Sequence, residues 1–213
     1  MSETRAVYMV PDACGKREAI AATLERLKDR TVLNLGCGNR PILGAINHDI
    51  RSHSDMIDIA FDLDVVGGNR HLNWPIPDER FDKVVALDVA EHLRADVHVW
   101  LEEMWRILRP DGILILRVSA WDNPVSYRDP THRRTFHEES FCYFWPIHPL
   151  WQEYGRIYFP DGPWFNLHVV ERGNADARWP DRGDICVVMT KTQRPQTVTE
   201  SVIGQACRGA FDG

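Results

Sequence analysis

No apolar run in this 213-residue chain is long enough to cross a membrane, and its first stretch, MSETRAVYMVPDACGKREAI, lacks the apolar core of a secretion signal. Cysteine is sparse. Cys14, Cys37, Cys142, Cys186 and Cys207 are scattered, odd in number and never spaced C-x-x-C. This argues against a disulfide framework and a cysteine-based zinc site, and it predicts reduced thiols in a cytoplasmic protein without membrane contact. Positive charge is in deficit, with 25 Lys and Arg against 31 Asp and Glu. A net charge of -6 and a pI near 5.8 leave no broad basic face to displace counterions, so nucleic acid is not the expected partner. HExxH, GxSxG and P-loop motifs are missing, and no two of the nine histidines stand at i, i+4. No metal site is therefore expected.

What is present is a patterned globular sequence, 44% hydrophobic and 26% charged, without internal repeats. Gly15 to Arg30 places Ile20, Thr23, Leu24 and Leu27 on one helical face. TVLNLG, GAINHD, MIDIAFDLD and FDKVVALD follow as four short apolar strands. Val97, Trp100, Leu101, Met104, Ile107 and Leu108 then recur at helical spacing until Pro110-Asp111-Gly112, which is expected to stop the helix. ILILRVS is a fifth strand, HEESFCYFW a short helix or turn, and WFNLHVVERG and GDICVVMTKT a closing antiparallel pair. The series predicts an α/β fold: a mixed, mostly parallel seven-stranded Rossmann-like sheet with helices on both faces. It forms one domain over 1–192, with a flexible tail over 193–213. CGNRPIL, between the first two strands, is too short for an ordinary parallel crossover, so a loop is expected there.

Gly36 and Gly38 sit at the carboxyl end of the first strand, where open α/β sheets bind ligands and where glycine lets backbone approach a ligand closely. Asp49 ends the second strand, and its carboxylate can accept two hydrogen bonds from a ribose diol. A dinucleotide is disfavoured. Pro41 stands where the third fingerprint glycine belongs, and Asp49 follows too soon for the usual spacing of about 20 residues.

The ordered set VLNLGCGNRP, INHDI, FDLD, WPIPDERFDKVVALDVAEHL and EMWRILRPDGILILRV, over Val32 to Val118, resembles the class I S-adenosylmethionine-dependent methyltransferases, most closely the small bacterial and phage-type members with a short first connection. The resemblance implies S-adenosylmethionine as cofactor. It sets Gly36, Cys37 and Gly38 along the methionine part, Asp49 on the ribose, Ile50 against adenine, Asp62 and Leu63 near the adenine amino group, and Leu87 and Asp88 facing the methionine ammonium. Trp74 takes the place of a frequent leucine and implies a bulkier wall. Asn34 replaces a frequent acid, keeping hydrogen-bonding capacity without the charge. Glu91 and His92 are read as a structural pair at a helix start.

SYRDPTHRRTFHEESF follows the fifth strand and is expected over the transferable methyl. There His132 is the candidate base and Tyr127 the candidate orienting group. Arg128, Arg133 and Arg134 suit a carboxylate or phosphate. The aromatic-rich segment 120–163 is long for a plain connection and is expected to recognise substrate. The expected activity is methyl transfer to O or N of a small-molecule acceptor, anionic or aromatic in character. The alternatives are the same chemistry on a nucleotide or nucleic acid, favoured by the three arginines, and a non-catalytic cofactor- or partner-binding module.

Overall fold

The computed structural model describes residues 13–64, 72–173 and 183–193. The expected tail, from residue 194 onward, and the link NADARWPDR lie outside the described residues. Seven strands make one sheet: β1 (Val32–Leu35), β2 (Ile46–Asp49), β3 (Ile59–Ala60), β4 (Phe81–Leu87), β5 (Leu108–Val118), β6 (Phe165–Arg172) and β7 (Ile185–Lys191). Their order is β3-β2-β1-β4-β5-β7-β6. The first five pair in parallel, and β7 pairs antiparallel with both β5 and β6. This is the mixed, mostly parallel Rossmann-like sheet that the strand pattern predicts. Helix α1 spans Ala13–Arg26, α2 Val97–Ile107 and α3 Pro124–Arg128.

The apolar positions fill the core as their periods require. Leu33, Leu35, Val84 and Ala86 are buried in β1 and β4. Ile20 and Leu24 of α1, and Trp100, Leu101, Met104 and Ile107 of α2, pack into the same cluster. Burial of such side chains contributes about 1.5–3 kcal/mol each.

Two boundaries differ from the sequence expectation. Helix α2 ends at Ile107, before the Pro-Asp-Gly turn, because Leu108 is already extended and pairs with Phe81 of β4. The turn is carried inside β5, with Asp111 at φ 60. Strand β3 shrinks to two residues. Between β1 and β2 the chain crosses as a loop, residues 36–45, without a helix. Asn34 and Asn47 hold that loop. Asn34 Nδ2 donates to Arg40 O and Asn47 Oδ1, both at 3.0 Å, and Asn47 Oδ1 also accepts from Ile42 N at 2.8 Å. The loop therefore packs its turns on buried amides in place of the usual helix.

Beyond β5 the chain forms α3, a 3-10 helix Glu138–Phe144 and a π-helical turn Trp151–Gly155. His137 caps the 3-10 helix through a reciprocal pair with Ser140. Phe136, Phe141 and Phe144 anchor the segment to the core.

Candidate functional site

At the carboxyl ends of β1 to β4 lies a cavity of about 430 Å³. Gly36, Asp49, Ile50, Asp62, Leu63 and Asp88 line it together, joined by His48, Phe61, Val89 and His92. Gly36 has φ +56, and a Cβ there would stand 2.6 Å from Val89 Cγ2. Both the backbone angle and the contact therefore require glycine. The Asp49 carboxylate ties the loop to β2, with Oδ2 accepting from Gly38 N and Oδ1 from Ile50 N, both at 2.7 Å. A carboxylate offers about four lone-pair sites, so about two stay available to a ligand. Ile50 is 58% exposed at the rim, while Phe61 and Leu63 are buried behind it. Asp62 Oδ1 accepts from Asp64 N at 2.9 Å. An acid beside an apolar wall fits a nucleoside.

His48 is the clamp of this half. Gly36 N donates to its Nδ1 at 3.3 Å, which makes Nε2 the protonated nitrogen, bonded to Phe61 O at 3.0 Å. Burial pushes its pKa down to about 4, so the ring is neutral.

The other expected residues of the cofactor loop stand back from the cavity. Asn34 is buried under the loop, and Cys37 is buried with its thiol turned to Gly38 O at 3.7 Å. Burial raises the Cys37 thiol. Leu87 lies half-buried at the end of β4 and is not among the cavity-lining residues. Trp74 is buried behind Leu63, donating Nε1–H to Leu63 O at 2.9 Å, so it supports the wall instead of forming it.

Asp88 has φ 60 and is gripped by two arginines. Arg117 binds both carboxylate oxygens, and Arg40 Nη2 donates to Oδ2 at 2.8 Å. Burial alone would raise this carboxyl; the arginines outweigh it and hold it below its ordinary value.

A second cavity, of about 240 Å³, shares Asp88 and His92 with the first. Arg40, Glu91, Ser119, Asn123, Val125, Asp129, His132 and Asp184 complete its lining. Glu91 is 1% exposed. Its Oε1 accepts from Ser119 N at 3.2 Å and Ser119 Oγ at 3.1 Å, and its Oε2 has no hydrogen-bond partner among the described residues. Burial raises its pKa to about 7. The sequence reading missed Glu91 as a site group; an acid at the end of a buried strand was the available signal. His132 reaches the same cavity, its Nδ1 on Ser126 O at 3.1 Å. Tyr127 does not: its hydroxyl donates to Trp121 O at 2.6 Å, and its ring is 70% exposed, outside both cavities.

The arginines separate in the same way. Arg134 donates to Leu93 O and Ala95 O, Arg128 ends α3 at the surface, and Arg133 stands at the rim of the first cavity. Where no metal array was expected, one nitrogen of His92, one of His132 and a carboxylate oxygen of Asp129 lie within 4.8 Å of one another. The i, i+4 criterion was blind to this group, because its members come from two loops.

Residues 33–116 match the family model described as a methyltransferase domain. A comparison with curated proteins found no match. Among solved structures the chain is similar to a chain of the complex between the Haloferax volcanii Trm112 methyltransferase activator and its methyltransferase, at 18% identity, covering 85% of this chain and 96% of that one with a TM-score of 0.49. It is also similar to an S-adenosylmethionine-dependent methyltransferase of Mesorhizobium loti, at 16% identity, covering 84% and 99%, with a TM-score of 0.43. A third is the Burkholderia thailandensis 1,6-didemethyltoxoflavin-N1-methyltransferase, at 19% identity, covering 85% and 80%, with a TM-score of 0.44. The segment of this chain that matches the methyltransferase domain runs from β1 into β5 and carries the glycine loop, Asp49 and Asp88.

Proposed function

We propose that the protein methylates an oxygen or nitrogen of a small-molecule acceptor held in the 240 Å³ cavity, with S-adenosylmethionine held in the 430 Å³ cavity beside it. The observation that carries this reading is the shared wall. Asp88 and His92 belong to both cavities, so a donor and an acceptor would meet there. When bound, the cofactor supplies a methyl group that its sulfonium already makes electrophilic.

The chain's own residues have to bind, orient and keep out water. Asp49 offers its remaining lone pairs to the ribose hydroxyls, and Ile50, Phe61 and Leu63 give the adenine an apolar face. The Asp88 carboxylate, fixed by Arg40 and Arg117, stands near the glycine loop, where the methionine end of the cofactor would bind. On the acceptor side Asn123, Val125, Asp129 and His132 come from segment 120–163, which supports its role in recognition. Two groups there can take the acceptor's proton: the Glu91 carboxylate through its unpartnered Oε2, and the His132 imidazole. The modest volume favours a small acceptor over a polymer. So does the use of Arg134 on backbone carbonyls, which removes one of the three arginines that a phosphate backbone would need.

Calorimetry with S-adenosylhomocysteine tests the reading. Binding is expected, and Asp49→Ala is expected to weaken it at least tenfold, about 1.4 kcal/mol. Absence of binding at about 1 mM ligand, roughly 4.1 kcal/mol, would remove the proposal. Labelled-methyl incorporation into a metabolite extract would then identify the acceptor.

A further inference from the structure

His92, Asp129 and His132 meet on the wall of the acceptor cavity. His132 Nδ1 lies 3.1 Å from the Ser126 carbonyl, which can only accept. Nδ1 therefore carries the proton and Nε2 carries a lone pair. That lone pair faces Asp129 Oδ2 at 3.9 Å. Two acceptors stand opposite each other there, too far apart for a hydrogen bond. A divalent ion bonded to imidazole nitrogen and carboxylate oxygen at about 2.0–2.2 Å from each would close such a gap.

The surroundings resemble the outer shell of a metal site. A ligating histidine usually donates its second N–H to a carbonyl, as His132 does to Ser126. The other Asp129 oxygen is fixed by Thr131 N at 2.8 Å and Thr131 Oγ1 at 2.6 Å. The same Thr131 Oγ1 lies 2.9 Å from His92 Nδ1, and the two imidazoles stand edge to face with centroids 4.6 Å apart. All three ligands are thus oriented by a neighbour before any ion arrives. A separate observation points to a ligand in this cavity: Glu91, 1% exposed, lines it with Oε2 unpartnered among the described residues.

We infer that His92, Asp129 and His132 bind a first-row divalent metal ion of the zinc class, leaving coordination positions open toward the acceptor cavity. Two imidazoles and one carboxylate suit such an ion better than magnesium or calcium, which prefer all-oxygen shells. The ion would hold the oxygen or nitrogen of the acceptor at its open positions. This last assignment rests on the methyl-transfer reading; the binding of the ion does not.

The test uses the untagged full chain, stripped with a chelator and titrated with cobalt(II). The expected result is one cobalt per chain with visible absorption from nitrogen and oxygen ligation, displaced by zinc. His132→Ala and Asp129→Asn should each weaken cobalt at least tenfold. His168→Ala, an exposed histidine on β6 bonded to Thr190, should leave it unchanged. Circular dichroism of each variant checks that it folds, and Asp129→Asn keeps the shape of the loop if the alanine variant does not. No cobalt spectrum at about 1 mM metal, or equal affinity in both ligand variants, would overturn the inference. Cobalt binding without S-adenosylhomocysteine binding would keep the ion and remove the methyltransferase site; the converse would keep the site and remove the ion.

Discussion

The first cavity takes most of its polar architecture from two adjacent strand ends and the loop between them, Gly36 to Asp49, whereas the second gathers Asp88 to His92, Ser119, Asn123 to His132 and Asp184. In the first, backbone groups do most of the work: Gly38 N and Ile50 N bind Asp49, and Gly36 N binds His48. In the second, side chains face one another across loops, and one buried oxygen of Glu91 is left without a partner among the described residues. A binding site for a constant ligand can be written into a short loop whose backbone angles are fixed by glycine. A site for a particular acceptor needs side chains from distant segments, and on the proposed reading the polar balance of the second cavity would be completed by that acceptor.

This contrast can be broken at several points, beginning with stability. His48 locks the cofactor half as a neutral ring, its folded pKa of about 4 lying below the ordinary 6.5. Its contribution is intact above about pH 6.5, where both states are neutral, and is lost progressively as pH falls toward 4, because only the unfolded ring takes up a proton. The loss amounts to about 3 kcal/mol over that window. His48→Gln should flatten that part of the profile in denaturant melts across pH 7 to 4. A variant as acid-sensitive as the parent would mean that the ring is not the clamp.

A smaller effect, on the acceptor half, sharpens the division of labour. Glu91→Gln should lower turnover about 100-fold, equivalent to about 2.7 kcal/mol, while the affinity for S-adenosylhomocysteine stays within about twofold. If affinity fell in step with turnover, Glu91 would belong to the cofactor half and the two regions would not be separable. The smallest effect is expected at Tyr127. Tyr127→Phe removes only the surface bond to Trp121 and should change stability by less than about 0.5 kcal/mol and turnover by less than about twofold. A large loss there would bring its ring back into the site.

Much of this was legible in the chain. Continuous apolar runs such as Val84 to Leu87 mark strands covered on both sides, and the 3.6-residue spacing of Trp100, Leu101, Met104 and Ile107 marks a buried helix face. The boundaries were less legible. Pro110-Asp111-Gly112 reads as a helix stop, yet pairing of Leu108 with Phe81 ends the helix earlier, since the sheet competes for that residue. Asn34, read as an uncharged replacement for a frequent acid, is a buried amide that holds the loop to Asn47. The segment after β5 carried suggestive residues without saying which faced inward; Tyr127 and His132 share it and point to different surroundings.

Sequence alone determined the succession of strands along the chain, the glycine loop and the acid at the end of β2, because each depends on neighbouring residues and on backbone angles only glycine adopts easily. Tertiary structure alone decided that Glu91, His92, Asp129 and His132 share one cavity, that Arg117 and Arg40 hold Asp88, and that Tyr127 stands apart. Those relations join atoms from separate loops, and no local period or spacing encodes the distance between them.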